Sequence, residues 1–358
     1  MRVLVLGGTR FIGAAAVRAL LARGHEPSVF SRGQAAGPPL PAGVRALRGE
    51  RGALAEHHAA LRETRPEAIL DMRCLTAGDA EALLALARAC GVGRVVAASS
   101  CDVYRAFGLV LGSEQGPLEP VPLREDAALR ARRYPYRRAT PRAADDPDRW
   151  QDEYDKLDVE ERLLGAGDVA AGVVRLPMVH GPWDYRRRVS TWLRRMSPDR
   201  PALVLPAEQA AWRPCRGFVD DAGQALALAC EQGARGVWHV ADPPLAEREW
   251  VEAIARAAGW PGRVRVVPAA ELPPALRPGP GRLEQQLDLD SARARAELGW
   301  APTPLAAARE ATVAWERAAP AAPVSTAAST AAATSGSPKL RPSAGAPAPM
   351  KPTTTSAR

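Results

Sequence analysis

A glycine-rich turn near the N-terminus has the residue types and spacing to bind a phosphate group. It reads Gly-Gly-Thr-Arg-Phe-Ile-Gly, between an apolar run at 3–6 and a segment at 11–22 with apolar residues at helical spacing. Glycines let the backbone approach a diphosphate closely, and free N–H groups at a helix N-terminus attract its charge. This strand, turn and helix predict a dinucleotide-binding unit, with a turn that binds nothing as the alternative. We expect the dinucleotide contacts at Gly7, Gly8, Thr9, Arg10, Phe11, Ile12 and Gly13.

The end of the second predicted strand, at 27–30, bears on which dinucleotide is bound. In sites selective for NAD, an acidic residue stands here and holds the ribose hydroxyls. This chain has no acid at that point and continues with Arg32. We therefore expect NADP over NAD, with Arg32 and Arg10 as counter-charges for the 2′-phosphate, unless both arginines are only solvated. Glu50 follows the third predicted strand, in the place where such folds contact adenine.

Alternating strand and helix patterns must position this turn. Short apolar runs predict strands, and segments with apolar residues at helical spacing predict the helices between them. Repeated units of this length imply an α/β fold with a parallel sheet and right-handed crossovers. The strands are predicted at 3–6, 27–30, 44–47, 67–72, 94–98, 169–176 and 237–240. The main helices are predicted at 11–22, 79–90, 146–164, 247–259, 291–298 and 304–317.

A long segment rich in arginine, proline and glycine interrupts the alternation at 108–149. It follows the carboxyl end of a predicted parallel strand, where open α/β sheets bind ligands. Loops of this length inside a compact domain are usually functional or disordered. We interpret the segment as a basic lid over an anionic substrate, with a solvated insertion as the alternative. A second run of arginines, at 186–195, is predicted to lie on a helix.

Composition limits the kinds of protein this chain can be. The 358 residues are 46% hydrophobic, enough for two domains with a sizeable core. No apolar run reaches eighteen residues and the chain enters its first strand directly, so neither a membrane span nor a signal peptide is expected. The five cysteines are scattered without metal-ligand spacing, which favours a reducing, cytoplasmic setting and no metal site.

The last segment, 318–358, consists almost entirely of alanine, proline, serine and threonine. Such a composition cannot bury enough apolar surface to offset the entropy lost on ordering, so the segment is predicted to be a disordered tail. The tail carries four of the eight net positive charges. The remainder of the chain is therefore only mildly basic, and its charge does not require a nucleic-acid partner.

Six motifs occur in an order that resembles the extended, atypical short-chain dehydrogenase/reductase superfamily, within its NAD-dependent epimerase/dehydratase group. Together they span about 1–317 and are specific for the fold rather than for a substrate. The motifs are Gly7-Gly8-Thr9-Arg10-Phe11-Ile12-Gly13, Ser99-Ser100-Cys101-Asp102-Val103-Tyr104, Lys156-Leu157-Asp158-Val159-Glu160, Arg175 with Val179-His180-Gly181-Pro182, Arg216-Gly217-Phe218-Val219-Asp220-Asp221 and Glu297-Leu298-Gly299-Trp300-Ala301-Pro302.

The resemblance implies a fold and a reaction. The fold is a Rossmann-type doubly wound parallel sheet, forming an NAD(P)-binding domain over 1–176. A smaller α/β substrate domain over 177–317 is partly interleaved with it. The implied reaction is hydride transfer between NAD(P) and a sugar-like, nucleotide-linked small molecule. The resemblance also implies a homodimer.

The resemblance also assigns roles to particular residues. Ser100 and Lys156 match catalytic residues of the family, and Lys156 also holds the nicotinamide ribose. Ser99 is placed at the cofactor. Arg216 matches an arginine that grips the substrate's diphosphate, with Arg282 as a looser counterpart near the C-terminus.

Two residues depart from the family pattern. Arg10 stands at the middle glycine of the turn, and Asp152 stands four residues before Lys156, where the family has tyrosine. Helical residues four apart share a face, whereas residues two apart point about 200° apart. On the predicted helix Asp152 therefore faces and pairs with Lys156, and Tyr154 lies on the other side. The proton carrier is left open between Tyr154, Asp152 and Tyr136 of the 108–149 insertion.

Two functions are compatible with these residues. The first is an NAD(P)-dependent epimerase, dehydratase or reductase in which Ser100 binds the reacting oxygen. The second is a catalytically weak NAD(P)-binding protein whose arginine runs bind RNA phosphates while Tyr134 and Tyr136 stack on bases. The enzyme is favoured because the arginine runs carry few aromatic residues and basic faces are usually only solvated.

Overall fold

A seven-stranded parallel sheet lies at the centre of the protein. The computed structural model describes residues 1–34, 37–146, 148–233, 235–274, 277–279 and 281–319. The strands are β1 (Arg2–Leu6), β2 (Glu26–Ser31), β3 (Arg45–Arg48), β4 (Ala68–Asp71), β5 (Arg94–Ser100), β6 (Ala170–Leu176), β7 (Met178–His180), β8 (Ala202–Pro206), β9 (Arg216–Phe218), β10 (Gly236–His239) and β11 (Arg263–Val267). The sheet has the order β10-β6-β5-β4-β1-β2-β3, with every neighbouring pair parallel.

The strand order reverses direction at β1. From β1 the chain continues outward to β2 and β3, then crosses back to β4 on the other side of β1. Val5 in β1 lies between Val29 of β2 and Leu70 of β4. In open α/β sheets, ligands bind beyond the carboxyl ends of the strands at such a reversal. The glycine turn follows β1 and therefore lies at this point.

Helices cover both faces of the sheet. They are α1 (Phe11–Ala22), α2 (His58–Arg62), α3 (Ala77–Cys90), α4 (Arg105–Leu111), α5 (Lys156–Gly165), α6 (Ser190–Leu193), α7 (Ala207–Ala211), α8 (Val219–Gln232), α9 (Glu247–Ala257), α10 (Ala292–Leu298) and α11 (Leu305–Ala318). On one face, Val17 of α1 and Leu226 of α8 are buried in a common core. On the other face, Leu83 of α3 and Val159 of α5 are buried in a second core. The sheet is therefore doubly wound.

Two short parallel pairs form the remainder of the fold. In one, β8 pairs with β11, and in the other β7 pairs with β9. A third core packs Trp192 of α6 and Leu205 of β8 against Trp250 and Ile254 of α9. Between β9 and β11 the chain returns to the large sheet. There α8 packs on α1, and β10 pairs with β6. At Gly223 of α8 an added Cβ atom would lie 2.6 Å from the backbone carbon of Ala15, so these two helices touch through their backbones.

Two helix predictions differ from the structure. The helix predicted over 146–164 begins only at Lys156, because the Asp155 side chain accepts a hydrogen bond from the backbone N–H of Leu157 and caps it. A short 3-10 helix, Arg149–Asp152, precedes it. The helix predicted through the arginine run at 186–195 covers only α6.

The predicted tail, 318–358, lies outside the described residues apart from its first two positions. Ala318 is the last residue of α11. In the described part of the chain, each helix is too short or too polar to cross a membrane.

Candidate active site

The turn between β1 and α1 has the geometry of a diphosphate site. Gly7 has a φ of +91°, a conformation that side chains disfavour, and a Cβ atom on Gly13 would lie 2.2 Å from the carbonyl oxygen of Gly7. No side chain caps the N-terminus of α1 and its first turn carries no acid. The first N–H groups of this helix are thus left for an anionic group. These residues fit the diphosphate of a nicotinamide dinucleotide.

Arg10 replaces the middle glycine of the family pattern without backbone strain. Its φ of −138° and ψ of 140° are extended values that any residue adopts. Its guanidinium carbon lies 4.0 Å from the ring centroid of Tyr185, a residue of the segment after β7. The ring of Phe11 meets the same tyrosine edge-on, at 6.1 Å between centroids. The substitution therefore ties the diphosphate turn to Tyr185, which is 52% exposed.

The residues predicted to contact the adenosine side of the cofactor are exposed. β2 ends at Ser31, and the next residues, Arg32, Gly33 and Gln34, are exposed and include no acid. Glu50 is also exposed, directly before a 3-10 helix at Arg51–His57. Within that helix, Arg51 pairs at 2.6 Å with Asp71, the last residue of β4. Burial raises the pKa of Asp71, and the Arg51 charge opposes that rise.

Three predicted catalytic residues come together beyond β5. Ser100 is the last residue of β5 and Lys156 is the first of α5. The Lys156 ammonium donates to the carbonyl oxygens of Cys74 at 2.6 Å and Ala98 at 2.7 Å. Its Nζ atom lies 5.9 Å from the ring centroid of Tyr154. Burial lowers the pKa of Lys156, while the charges around it oppose that shift.

Tyr154 reaches this cluster because it precedes the helix rather than lying within it. Its side chain is buried, and its hydroxyl donates to Asp102 Oδ2 at 2.9 Å. The Tyr136 hydroxyl donates to the same oxygen at 2.8 Å, so the insertion contributes a side chain to the site. Burial and then the Asp102 charge raise the pKa of both tyrosines, while Ser100 lowers that of Tyr154. Both phenols are therefore neutral at ordinary pH.

Asp102 was not singled out from the sequence. It lies in a 3-10 helix, Cys101–Val103, directly after β5, and its backbone N–H donates to Ser100 Oγ at 3.2 Å. The sequence did contain a signal for it, because Asp102 lies two residues after Ser100 in the motif at 99–104 that resembles the family. A carboxylate at the carboxyl end of a central parallel strand faces the ligand edge of the sheet.

The predicted pairing of Asp152 with Lys156 is wrong. Asp152 is bound by Arg142, through the guanidinium and through the backbone N–H at 2.7 Å. That backbone hydrogen bond is the main reason why the pKa of Asp152 is lowered, and the Arg142 charge adds to it. The prediction relied on a helix running through both residues, whereas α5 begins at Lys156.

Ser99, predicted to lie at the cofactor, uses its hydroxyl elsewhere. The hydroxyl donates to Glu160 Oε1 at 2.6 Å, and Glu160 also binds the guanidinium of Arg175 at 2.7 Å. All three side chains are buried. The Ser99 hydroxyl therefore joins α5 to β5 and β6, and its contact with a cofactor stays a prediction.

The two arginines expected at the substrate have different partners. Arg216 forms an ion pair with the buried Glu247, and its guanidinium carbon lies 4.7 Å from the ring centroid of Trp250. A narrow cleft beside them is lined by Pro214, Arg216, Asp242, Pro243, Leu245 and Trp250. Arg282 donates instead to the carbonyl oxygen of Gly116 in the insertion.

Three arginines of the 108–149 insertion are bound to acids of the segment around α5, and Arg142 with Asp152 is one such pair. Arg130 and Asp155 form a buried ion pair, and Arg133 contacts Asp158 of α5 at 2.9 Å. Arg137 lies over the ring of Tyr134, with 3.7 Å between the guanidinium carbon and the ring centroid. These contacts hold the insertion against the site. They also use charges and an aromatic ring that an RNA ligand would need. Within the described ranges, His, Cys, Asp and Glu side chains form no group of three that could hold a metal ion.

Comparison with known proteins gives a consistent result. The model of the NAD dependent epimerase/dehydratase family matches residues 3–241. A 2'-dehydrokanamycin reductase of Streptomyces kanamyceticus is 34% identical over 75% of this chain and 70% of its own length. A 3-diazoavenalumate denitrifying reductase of a Streptomyces species is 32% identical over 85% of this chain and 96% of its own.

Solved structures share the fold. A UDP-glucose 4-epimerase of Stenotrophomonas maltophila with bound NAD and formylated UDP-arabinopyranose superposes with a TM-score of 0.65. The match covers 89% of this chain and 98% of that one, at 17% sequence identity. The predicted α/β fold with its doubly wound parallel sheet is thereby confirmed.

Proposed function

The chain belongs to the NAD dependent epimerase/dehydratase family, and from this membership we propose that it is an NAD(P)H-dependent reductase of a carbonyl group on a sugar-like substrate. Its family and its curated relatives are enzymes, so this protein is an enzyme. The direction of hydride transfer, the choice between NADP and NAD, and the substrate are the proposed parts.

One observation carries the proposed direction of the reaction: the buried Tyr154 hydroxyl donates a hydrogen bond to Asp102 Oδ2 at 2.9 Å, so this phenol holds its proton beside the site. Burial, and after it the charge of Asp102, raises the pKa of this phenol well above its usual value. A neutral phenol can give a proton to a developing alkoxide, but it is a poor base for taking one from an alcohol. A bound dihydronicotinamide supplies a hydride, and in our proposal Tyr154 supplies the proton that completes reduction.

Ser100 and Lys156 support this step from two sides. The Ser100 hydroxyl lies at the end of β5, close enough to Tyr154 to lower its pKa. In our proposal it donates a hydrogen bond to the same substrate oxygen. Lys156 is fixed by two backbone carbonyls, so its positive charge is already in place when negative charge develops on that oxygen.

We propose NADP as the preferred cofactor. Arg32 follows β2 and is exposed, and the next two residues, Gly33 and Gln34, include no acid that could bind ribose hydroxyls or repel a phosphate. A guanidinium suits the 2′-phosphate of NADP, because charge-assisted hydrogen bonds to phosphate are strong. Arg10 lies at the diphosphate turn and adds positive charge to the same side of the site.

The sugar-like substrate is proposed from the relatives and from the polar groups around Tyr154. One curated relative is named for 2'-dehydrokanamycin, and the matched epimerase holds a UDP sugar. Tyr136 and Ser100 offer hydroxyl groups beside Tyr154. Arg216 is the candidate for a diphosphate if the sugar is nucleotide-linked, and Arg282 stays a second candidate.

The test is oxidation of NADPH and NADH in the presence of keto sugars, with and without a nucleotide diphosphate. Tyr154→Phe should lower kcat by about a hundredfold or more, the range of a lost proton donor, while cofactor binding is unchanged. Asp126→Asn is the control and should keep kcat, since that side chain is 87% exposed. Binding of NADPH without oxidation by any keto sugar would refute the reductase.

A further inference from the structure

Asp102 is a buried carboxylate that joins two tyrosines of the site. Its Oδ2 atom accepts hydrogen bonds from Tyr136 at 2.8 Å and Tyr154 at 2.9 Å. Its Oδ1 atom is buried and has no hydrogen-bond partner among the described residues. The side chain is only 4% exposed, and the ring centroids of the two tyrosines are 5.3 Å apart. One oxygen of this acid accepts two hydrogen bonds and the other accepts none from the described residues, so the carboxyl group can adopt a second hydrogen-bonding arrangement.

The protonation of Asp102 decides where Tyr154 can donate. While Asp102 is a carboxylate, both phenols donate to it, and the proton of Tyr154 is engaged. Once Asp102 is protonated, its carboxyl group can donate to the oxygen of Tyr154. The O–H of Tyr154 is then free to donate to a substrate oxygen.

We propose that Asp102 positions Tyr154 and relays the proton to it from Tyr136. This rests on the reduction proposed above. When the carbonyl group is reduced, the O–H bond of Tyr154 breaks and the substrate oxygen gains the proton. The Asp102 carboxyl proton passes to the Tyr154 oxygen. Tyr136 passes its own proton to Asp102 as it takes one from solvent water, so no phenolate is left, and the proton consumed by the reduction comes from solvent. Both tyrosines and the acid end as they began, and the carbonyl has become an alcohol.

The surroundings of Asp102 suit this exchange. Tyr154 is buried, whereas Tyr136 is only half-buried and belongs to the insertion, so the relay leads from the reacting side toward solvent. Burial raises the pKa of Asp102, while Arg130, the two tyrosines and Lys156 lower it. Arg130 is held by Asp155 and donates to the backbone oxygen of Asp102 at 3.0 Å. The carboxyl group is thus kept near the tyrosines without an ion pair of its own at Oδ1.

The first test is Asp102→Asn, which keeps the shape of the side chain but cannot carry the proton. We expect kcat to fall by about a hundredfold and KM to stay within about twofold, because the acid acts on the chemical step and not on substrate binding. The wild-type kcat should decline as the pH rises through the pKa of Asp102, and this limb should vanish in the variant. Tyr136→Phe should slow turnover about tenfold.

Matched controls are Asp126→Asn, at an acid whose side chain is 87% exposed, and Tyr134→Phe, at the tyrosine under Arg137. Both should keep the wild-type rate and pH profile. Wild-type kcat and an unchanged pH limb in Asp102→Asn would overturn the proposal.

A second readout needs neither cofactor nor substrate. The Asp102 charge raises the pKa of both Tyr136 and Tyr154, so Asp102→Asn should shift the ionisation of two tyrosines to lower pH in an ultraviolet titration, and Tyr154→Phe should remove one of the two. An identical titration in wild type and Asp102→Asn would overturn the coupling of the two residues. Failure of the wild-type protein to oxidise NAD(P)H would refute the reductase, and the titration would still judge the coupling separately.

Discussion

Arg130 and Asp155 form a buried ion pair, 2.5 Å between Nη2 and Oδ1, that joins the insertion to the first turn of α5. The same carboxylate accepts hydrogen bonds from the backbone N–H groups of Leu157 and Tyr134. Asp155 therefore ends the preceding loop and begins the helix. Tyr154 is held two residues before the first residue of the helix and turns toward Asp102.

The first prediction concerns Asp155→Ala. Loss of one partner leaves Arg130 buried and uncompensated, which costs about 3–5 kcal/mol of unfolding free energy. Loss of the helix cap adds about 1 kcal/mol. Chemical unfolding should show this loss, and Asp155→Asn, which retains an acceptor for the cap, should lose less. Equal stability of Asp155→Ala and wild type would contradict the role given to the pair.

The second prediction concerns acid. Burial tends to raise the pKa of Asp155, but hydrogen bonds from Arg130 and the backbone outweigh it, so the pKa is lowered. The unfolded chain then binds more protons at this site, and the stabilisation is lost as the pH falls from the ordinary value of aspartate through the lowered one. The buried Asp71 and Asp102 have raised pKa values, so their ionisation has the opposite effect. It lowers the stability of the folded protein as the pH rises through those values. Acid unfolding should be less steep in Asp155→Asn.

The sequence predicted the large sheet and the diphosphate turn because both depend on local patterns. The apolar run of β1 and the spacing from Gly7 to Gly13 are complete within a dozen residues. The start of α5 could not be predicted in the same way. It is set by the Asp155 cap, and Asp155 is bound by Arg130, which lies 25 residues earlier in the chain. A helical pattern around Asp152 carries no sign of that contact.

The same limit applies to the insertion and to Asp102. The arginines of the insertion suggested a lid open to anions. Acids of α5 and of the loop before it bind Arg130 and Arg133, which a count of basic residues cannot reveal. Asp102 became visible only when Tyr136 and Tyr154 were both found on its Oδ2 atom. Contacts between distant segments decide which of several plausible residues meet.

The third prediction tests the diphosphate turn with Gly13→Ala. The new Cβ atom would lie 2.2 Å from the carbonyl oxygen of Gly7, so α1 must move away from the turn. The affinities for NADPH and for NADH should each fall at least tenfold, because two or more charge-assisted hydrogen bonds to the diphosphate are lost. Calorimetry measures both affinities. Gly78→Ala in α3 is the control, since its nearest neighbour would be Thr76 Oγ1 at 3.8 Å. Unchanged affinity in Gly13→Ala would place the dinucleotide elsewhere.

The fourth prediction tests cofactor choice with Arg32→Ala. Removal of a guanidinium bound to the 2′-phosphate costs about 1.5–3 kcal/mol, so the Kd of NADPH should rise roughly tenfold to a hundredfold. The Kd of NADH should change little, because NADH lacks that phosphate. Arg124→Ala, at an arginine whose side chain is 71% exposed, is the control for loss of surface charge. An equal loss for both cofactors would remove the argument for NADP.

The last prediction asks whether the substrate carries a diphosphate. Arg216 is bound to Glu247, which is fully buried and has one oxygen without a partner in the described structure. Removal of the arginine alone would leave that acid unpaired, so Arg216→Gln is combined with Glu247→Gln to remove both charges together. The double variant should raise KM for nucleotide-linked keto sugars about tenfold and leave KM for unlinked keto sugars unchanged, because only the former present a diphosphate to Arg216. Equal KM changes for both classes would show that Arg216 does not read a diphosphate, and would turn the search toward unlinked sugars such as the one for which a curated relative is named.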